Sequence, residues 1–385
     1  MYNLTYKVIS IDKSFSDNSF ASQKTTAEKQ NLIAACAALG ATHIECTFIA
    51  DRDANLISAG NTPSPRNMAT EIQEWINLIH AQDNVYGSSV FGGKLKIVDR
   101  HIWCGMQNIS GFAFDKTTPV GTAASAPTDG YTTWLGRDYD FWMNRGLASL
   151  WQTGDIICPV AEITGTAFGG NFWTDQSGAI TYCNQAKILV ENIAPGGVSV
   201  VYMSNPNFSE VASGWWSGYG SQNNIVCSDY YLQRRGSAYN KPEDVIYDWQ
   251  QIYLGKDPAG GGNNSAGGYD QVWMEYGDLA NAIPGASQLS PELWTQFLIR
   301  LFKLMRDNLV PPNGHMIGFA WWGGWDGQDT ALFYKTGSGA SSQYFPNFHG
   351  LLLASFFKNN GGTIRRPVTT IGTFNDGLGG RNLRY

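Results

Sequence analysis

The chain has 385 residues, 43% hydrophobic and only 15% charged, with a formal net charge of −6 and a pI near 5.4. That charged share, well below the usual ~25%, excludes a disordered chain; the only basic doublets, Arg234-Arg235 and Arg365-Arg366, offer no electrostatic grip on nucleic acid. No apolar run reaches about 18 residues, so no membrane span is expected, and Met1 to Lys7 lack the basic-then-apolar build of a signal peptide, which leaves localisation open.

Strand-like and helix-like segments then alternate from end to end. Residues 6–11 read as a first strand, followed by a helix over 26–39 that Gly40 stops. A second strand is predicted over 42–49. A second helix over 64–81 opens with Ser64-Pro65 and sets Met68, Ile72, Trp75, Ile76 and Ile79 at helical spacing. The third strand is 94–100 and, after a long polar loop, the third helix 138–152.

Strand four is predicted over 155–163, then a helix over 182–193 closed by Pro195-Gly196-Gly197. Strand five spans 198–203, strand six 224–228, and a helix follows over 243–254. Strand seven, 271–274, precedes a helix over 291–308 with an apolar stripe of Leu293, Phe297, Leu301, Leu304 and Met305. Strand eight covers 316–322, and a helix over 347–358 closes the chain.

Short apolar strands alternating with helices imply a parallel sheet covered on its faces. A doubly wound open sheet announces itself by a glycine-rich phosphate turn after an early strand, and none is present. Eight strand candidates favour an α/β fold of one kind, a single (β/α)8 TIM barrel over residues 1–385, with long, aromatic-rich βα loops. The glycine tract 260–268 reads as a loop rather than a domain linker.

Aromatic content is high, with 14 Trp, 18 Tyr and 19 Phe beside 44 Gly. Gly214-Trp215-Trp216 and Trp321-Trp322-Gly323-Gly324-Trp325 sit in loop-like contexts, where flat apolar faces with polar edges suit sugar rings. The six cysteines (Cys36, Cys46, Cys104, Cys158, Cys183 and Cys227) show no CxxC spacing. They read mostly as free thiols, with one or two disulfides left open. No metal or cofactor is expected.

In such a barrel the active site lies at the C-terminal ends of the strands. Strand two leads to Arg52, strand three to His101 and Trp103, and strand four to Glu162. Strand six leads to Asp229 and Tyr231, strand seven to Glu275, and strand eight to Trp321 and Trp322. A carboxylate at the end of an inner strand is costly to bury without a partner or a task. Two of them at one end of a sheet are the minimum equipment for cleaving a glycosidic bond.

Glutamates ending strands four and seven, with Trp ending strand eight, resemble clan A glycoside hydrolases, the retaining barrel enzymes with cellulase-, mannanase- and galactosidase-like members. Glu275-Tyr276-Gly277 resembles their nucleophile segment and Gly318-Phe319-Ala320-Trp321-Trp322 their eighth strand. His101 is similar to a histidine many of them carry after strand three, and Tyr231 to an aromatic beside the nucleophile. The chain departs from the clan at Ala161, where an Asn usually precedes the acid; Thr164, Asn171 or Asn205 are the alternatives for that contact.

The resemblance implies Glu275 as nucleophile, held ionised by Arg52 and Tyr231, and Glu162 as acid/base. Arg52, His101, Trp103, Asp229, Tyr231, Trp321 and Trp322 would bind substrate, although Trp321 and Trp322 alternate in direction and only one of them should touch it. The expected activity is retaining, endo-acting cleavage of a β-linked poly- or oligosaccharide, a substrate met outside cells or on a virion. The competing reading is a non-catalytic carbohydrate-binding barrel, for instance a virus or phage surface component. An aldolase-type barrel lacks a strand-end lysine.

Overall fold

The structure, a computed structural model, describes residues 4–11, 24–46, 68–100, 148–158, 191, 194, 196–204, 225–230, 241–253, 272–276, 291–314, 316–321 and 331–359. Eight strands form an all-parallel, curled sheet: β1 (Tyr6–Ser10), β2 (His43–Cys46), β3 (Lys96–Arg100), β4 (Ile156–Cys158), β5 (Ser199–Ser204), β6 (Ile225–Tyr230), β7 (Val272–Tyr276) and β8 (Met316–Trp321). Each pairs with the next in chain order, and β8 returns to β1 through Tyr6↔Gly318 and Val8↔Ala320. Five helices are described: α1 (Thr26–Leu39), α2 (Met68–Ala81), α3 (Pro242–Tyr253), α4 (Pro291–Asn308) and α5 (Phe348–Asn359).

Local chemistry explains the helices. Thr25 and Glu28 form a reciprocal capping box at the start of α1, satisfying two of the orphan donors of its first turn. Gly40 ends it at φ 99°, and a side chain there would press on the Tyr86 hydroxyl 3.1 Å away. In α2, Ile72, Trp75, Ile76 and Ile79 are all fully buried, as their spacing demands. In α4 Leu301 and Met305 of the expected stripe are buried, Phe297 and Leu304 are half-buried, and Leu298 and Phe302 join the buried face.

Lys29 of α1 is buried and bridges to α2 through Glu71 (2.6 Å) and Glu74 (2.5 Å). Both partners are needed, because an unpaired ammonium at that depth would be strongly destabilising. Apolar side chains fill both faces of the sheet, among them Val8, Ile9, Ile44, Ile97 and Ile156. That double burial is why the strands read as continuous apolar runs.

Three expectations change. Residues 148–150 form a single 3-10 turn and 151–155 are not helical, so the predicted helix does not extend to residue 152. The Gln152 N–H goes to the Asp155 carboxylate at 2.7 Å instead of to a helical carbonyl. Strand three starts at Lys96; Lys94 instead makes an isolated antiparallel bridge and a 2.6 Å ion pair with Asp83. Finally, an unexpected antiparallel hairpin, β9 (Phe333–Thr336) and β10 (Gln343–Pro346), stands between β8 and α5.

Candidate active site

Alternation along the strands assigns the two faces of the sheet. Trp321 is fully buried against Phe302 of α4 (ring centroids 6.2 Å apart) and His349 of α5 (6.4 Å). It therefore faces the helices, and so does its register partner Ile9. Val8, Ser10 and Ala320, one residue away on their strands, face the interior. Glu45 pairs with Ser10 and shares that face.

Glu275 is the fourth of five residues in β7, which runs one residue beyond it to Tyr276. Its Cα partners are Asp229 on β6 and Ala320 on β8. Ala320 in turn pairs with Val8, so one register row runs from Asp229 through Glu275 and Ala320 to Val8. Two sequence-selected residues, Glu275 and Asp229, are thus brought side by side near the C-terminal ends of adjacent strands. Glu162, Arg52, His101, Trp103, Tyr231 and Trp322 lie outside the described residues.

Trp321 is a correction. Its ring is packed under α4 and α5 and is not available to a ligand, so it leaves the list of substrate-binding residues. The alternation expected of the Trp321-Trp322 pair accounts for this: Trp321 is the member that packs outward.

Ser10 and Glu45 were not anticipated. Both are fully buried on the interior face near the C-terminal ends of β1 and β2, and the Ser10 hydroxyl has no hydrogen-bond partner among the described residues. Glu45 sits at an inward position of a strand whose neighbours Ile44 and Cys46 pack outward. The sequence signal was an acid at alternate phase to the apolar residues of His43-Ile44-Glu45-Cys46.

The opposite end of the sheet is a closed floor. His43 Nε2–H donates to the Gly154 carbonyl at 2.9 Å, which leaves Nδ1 to accept from the Thr42 hydroxyl at 2.9 Å. Burial lowers its pKa to about 4 against the opposing pull of that carbonyl and of Asp155, so the ring is neutral. Tyr6 and Phe91 pack edge-on against it at 5.4 and 4.7 Å. Beside them, the buried Asp155 carboxylate accepts from His80 Nε2 (2.9 Å), Ile97 N (3.0 Å) and Gln152 N (2.7 Å).

Cys36, Cys46 and Cys158 are buried free thiols, and burial pushes the Cys36 thiol well above its ordinary range. Among the described residues no cluster of His, Cys, Asp and Glu is arranged to hold a metal.

No family model and no curated protein matches the sequence. Solved structures do match in fold. A GH5_18 protein from Streptomyces cattleya, in complex with GlcNAc, aligns with TM-score 0.55 at 12% identity over 94% of this chain and 83% of its own. A GH5_18 from Bifidobacterium longum subsp. infantis aligns with TM-score 0.51 at 10% identity over 93% of this chain and 79% of its own. A trimodular GH5_4 endoglucanase aligns with TM-score 0.55 at 10% identity over 92% of this chain and 60% of its own. The fold is similar to that of family 5 glycoside hydrolases, members of clan A, over nearly the whole chain.

Proposed function

We propose that the chain is a glycoside hydrolase, built as a single (β/α)8 domain over residues 1–385, that cleaves a β-linked poly- or oligosaccharide with retention of configuration. The observation that carries this reading is Glu275 near the C-terminal end of β7, in a fold similar to that of family 5 glycoside hydrolases. In that position the Glu275 carboxylate attacks the anomeric carbon while Glu162 protonates the departing glycosidic oxygen. The bond to the leaving sugar breaks as the glycosyl–enzyme ester forms. Glu162 then takes a proton from water, which attacks the same carbon and releases Glu275. Retention asks for the two carboxyl groups to lie about 5–5.5 Å apart.

Arg52, His101, Trp103, Asp229, Tyr231 and Trp322 are the proposed substrate-binding residues around these acids, with Arg52 and Tyr231 keeping Glu275 ionised. Long aromatic loops favour an open cleft and endo action. The test is reducing-end release from β-linked polysaccharides, with the anomer of the first product followed by NMR. Initial release of the β-anomer from a β-linkage is expected; the α-anomer would show inversion. For Glu162→Ala, azide should restore part of the rate on an activated aryl glycoside. Glycan binding without any release over long incubation would reduce the protein to a binding module.

A further inference from the structure

The β9–β10 hairpin displays large apolar side chains to solvent. Among the described residues six large apolar side chains are exposed, and four of them, Tyr334, Phe345, Phe348 and Leu351, fall within residues 334–351. Tyr334 and Phe345 are direct register partners, 65% and 37% exposed, on the outer face of the hairpin. Their neighbours on that face are Thr336 and Gln343, also exposed and register partners of each other. The face is thus two aromatic rings beside a hydroxyl and an amide, with no charge. The inner face holds Phe333 and Tyr344, buried with rings edge-on at 6.3 Å.

This hairpin is fixed in place. Glu28 of α1 accepts from the Ser342 hydroxyl (2.9 Å) and pairs with Lys335 (3.2 Å). Lys24 donates to the Tyr344 hydroxyl (2.8 Å) and Asn31 to the Ser342 carbonyl (2.7 Å). A side chain at Gly350 of α5 would stand 2.4 Å from the Leu332 carbonyl, so the helix and the hairpin are in close backbone contact. Lys24, Glu28 and Asn31 lie at or near the start of the helix that follows β1. The hairpin therefore stands at the end of the sheet where the strands' C-termini lie, the end that carries Glu275.

We infer that the outer face of the β9–β10 hairpin is a second glycan-binding site, a rigid platform on which Tyr334 and Phe345 stack successive sugar rings of a neutral β-linked chain. This rests on the glycosidase reading and extends it to a contact beyond the two acids and the substrate-binding residues proposed around them. Aromatic rings held in advance lose little conformational freedom on binding, and their faces match the C–H faces of sugars. Thr336 and Gln343 offer hydroxyl and amide partners for the ring edges. A protein partner fits less well. Two four-residue strands make a face roughly 13 Å long and two strands wide, far short of the ~800 Å² each partner of a stable complex buries.

The experiment compares the full-length wild type, Tyr334→Ala/Phe345→Ala and Tyr334→Trp. Each is tested for depletion onto insoluble cellulose, β-mannan and β-1,3-glucan, for unfolding midpoint, and by size-exclusion chromatography. The wild type should bind at least one polymer, the double variant should bind it about tenfold or more weakly, and Tyr334→Trp should keep the affinity. A double variant that binds as the wild type does, or a wild type that binds none of the three, overturns the platform. So does a double variant that elutes as a smaller species, which assigns the face to self-association. Reducing-end release by the wild type is scored separately, so failure of the glycosidase reading is distinguishable from failure of the platform.

Discussion

The two ends of the sheet treat polar groups differently. At the floor, where the strands begin, His43, His80 and Asp155 are buried and each is closed by hydrogen bonds to neighbours. At the other end Ser10 is as deeply buried, yet its hydroxyl finds no partner among the described residues, and Glu275 and Asp229 are register partners there. A satisfied polar network fixes one arrangement and serves stability, whereas the polar groups at the other end are, in the function proposed above, the ones that serve chemistry. The division makes an opposed pair of mutational outcomes the sharpest check on it.

The largest expected effect is at the end that carries Glu275. Glu275→Gln should lower turnover on the order of 10⁴-fold, the scale of losing a nucleophile, while the urea midpoint stays within error of the wild type. Wild-type turnover in that variant would remove Glu275 from the mechanism. Asp155→Ala should do the reverse at the floor. It strips the acceptor from His80 Nε2–H and from the Ile97 and Gln152 amides, at a cost of about 3–5 kcal/mol. Asp155→Asn keeps one acceptor oxygen and should lose less. A midpoint for Asp155→Ala equal to the wild type's would mean that the floor network is not what holds β3 and β4 in register.

How much of this the sequence disclosed depends on how local the signal was. The bounds of α1 and α4 were readable to the residue because a stop signal such as Gly40 and a periodic apolar stripe are local to the helix. The eight strands were readable as elements, since burial on both faces leaves apolar runs. Their ends were less so: β7 holds Glu275 within the strand, not just past it. The β9–β10 hairpin went unseen because its alternation, buried Phe333 and Tyr344 against exposed Tyr334 and Phe345, makes sense only with α1 beside it. Of the candidate site, Glu275 and Asp229 stand as register partners, Trp321 belongs to the helix-facing core, and Ser10 and Glu45 needed the sheet register to be noticed.

A smaller effect separates the floor's charge state from its hydrogen bonds. Lys7 at the start of β1 is 2% exposed, with its ammonium 3.7 Å from the centre of the Tyr86 ring. Burial lowers its pKa to about 7. An unfolded chain keeps its lysine protonated up to about pH 10.4, so between these values the unfolded state binds the extra proton. Stability should therefore rise as pH is raised from 7 toward 10, and the penalty should be complete below 7. Lys7→Met should flatten that rise in thermal melts. A slope equal to the wild type's would show that Lys7 stays charged and that the Tyr86 face holds it so.

The smallest effect concerns the clamp that fixes the hairpin. Burial pulls the pKa of Glu28 upward, but hydrogen bonds from the Thr25 amide, Ser342, Lys335 and the Thr25 hydroxyl outweigh it and hold the group at about 2. Its folded value lies below its unfolded one, so its contribution is present above about pH 4.3 and is lost as pH falls toward 2. Between these values a chain whose hairpin has come away from α1 binds the proton that the docked carboxylate excludes, so each step down in pH favours loss of the Lys335 pair and of the tie to α1. In wild type, near-ultraviolet dichroism from Phe333 and Tyr344 should change over this range before the far-ultraviolet signal of the sheet does. In Glu28→Gln the early change should be present already at neutral pH. Because Glu28 also closes the capping box of α1, Thr25→Ala supplies the control. It removes the hydroxyl's part of the cap and leaves Lys335 and Ser342 in place, so an early change in that variant at neutral pH would assign the effect to the helix start rather than to the hairpin.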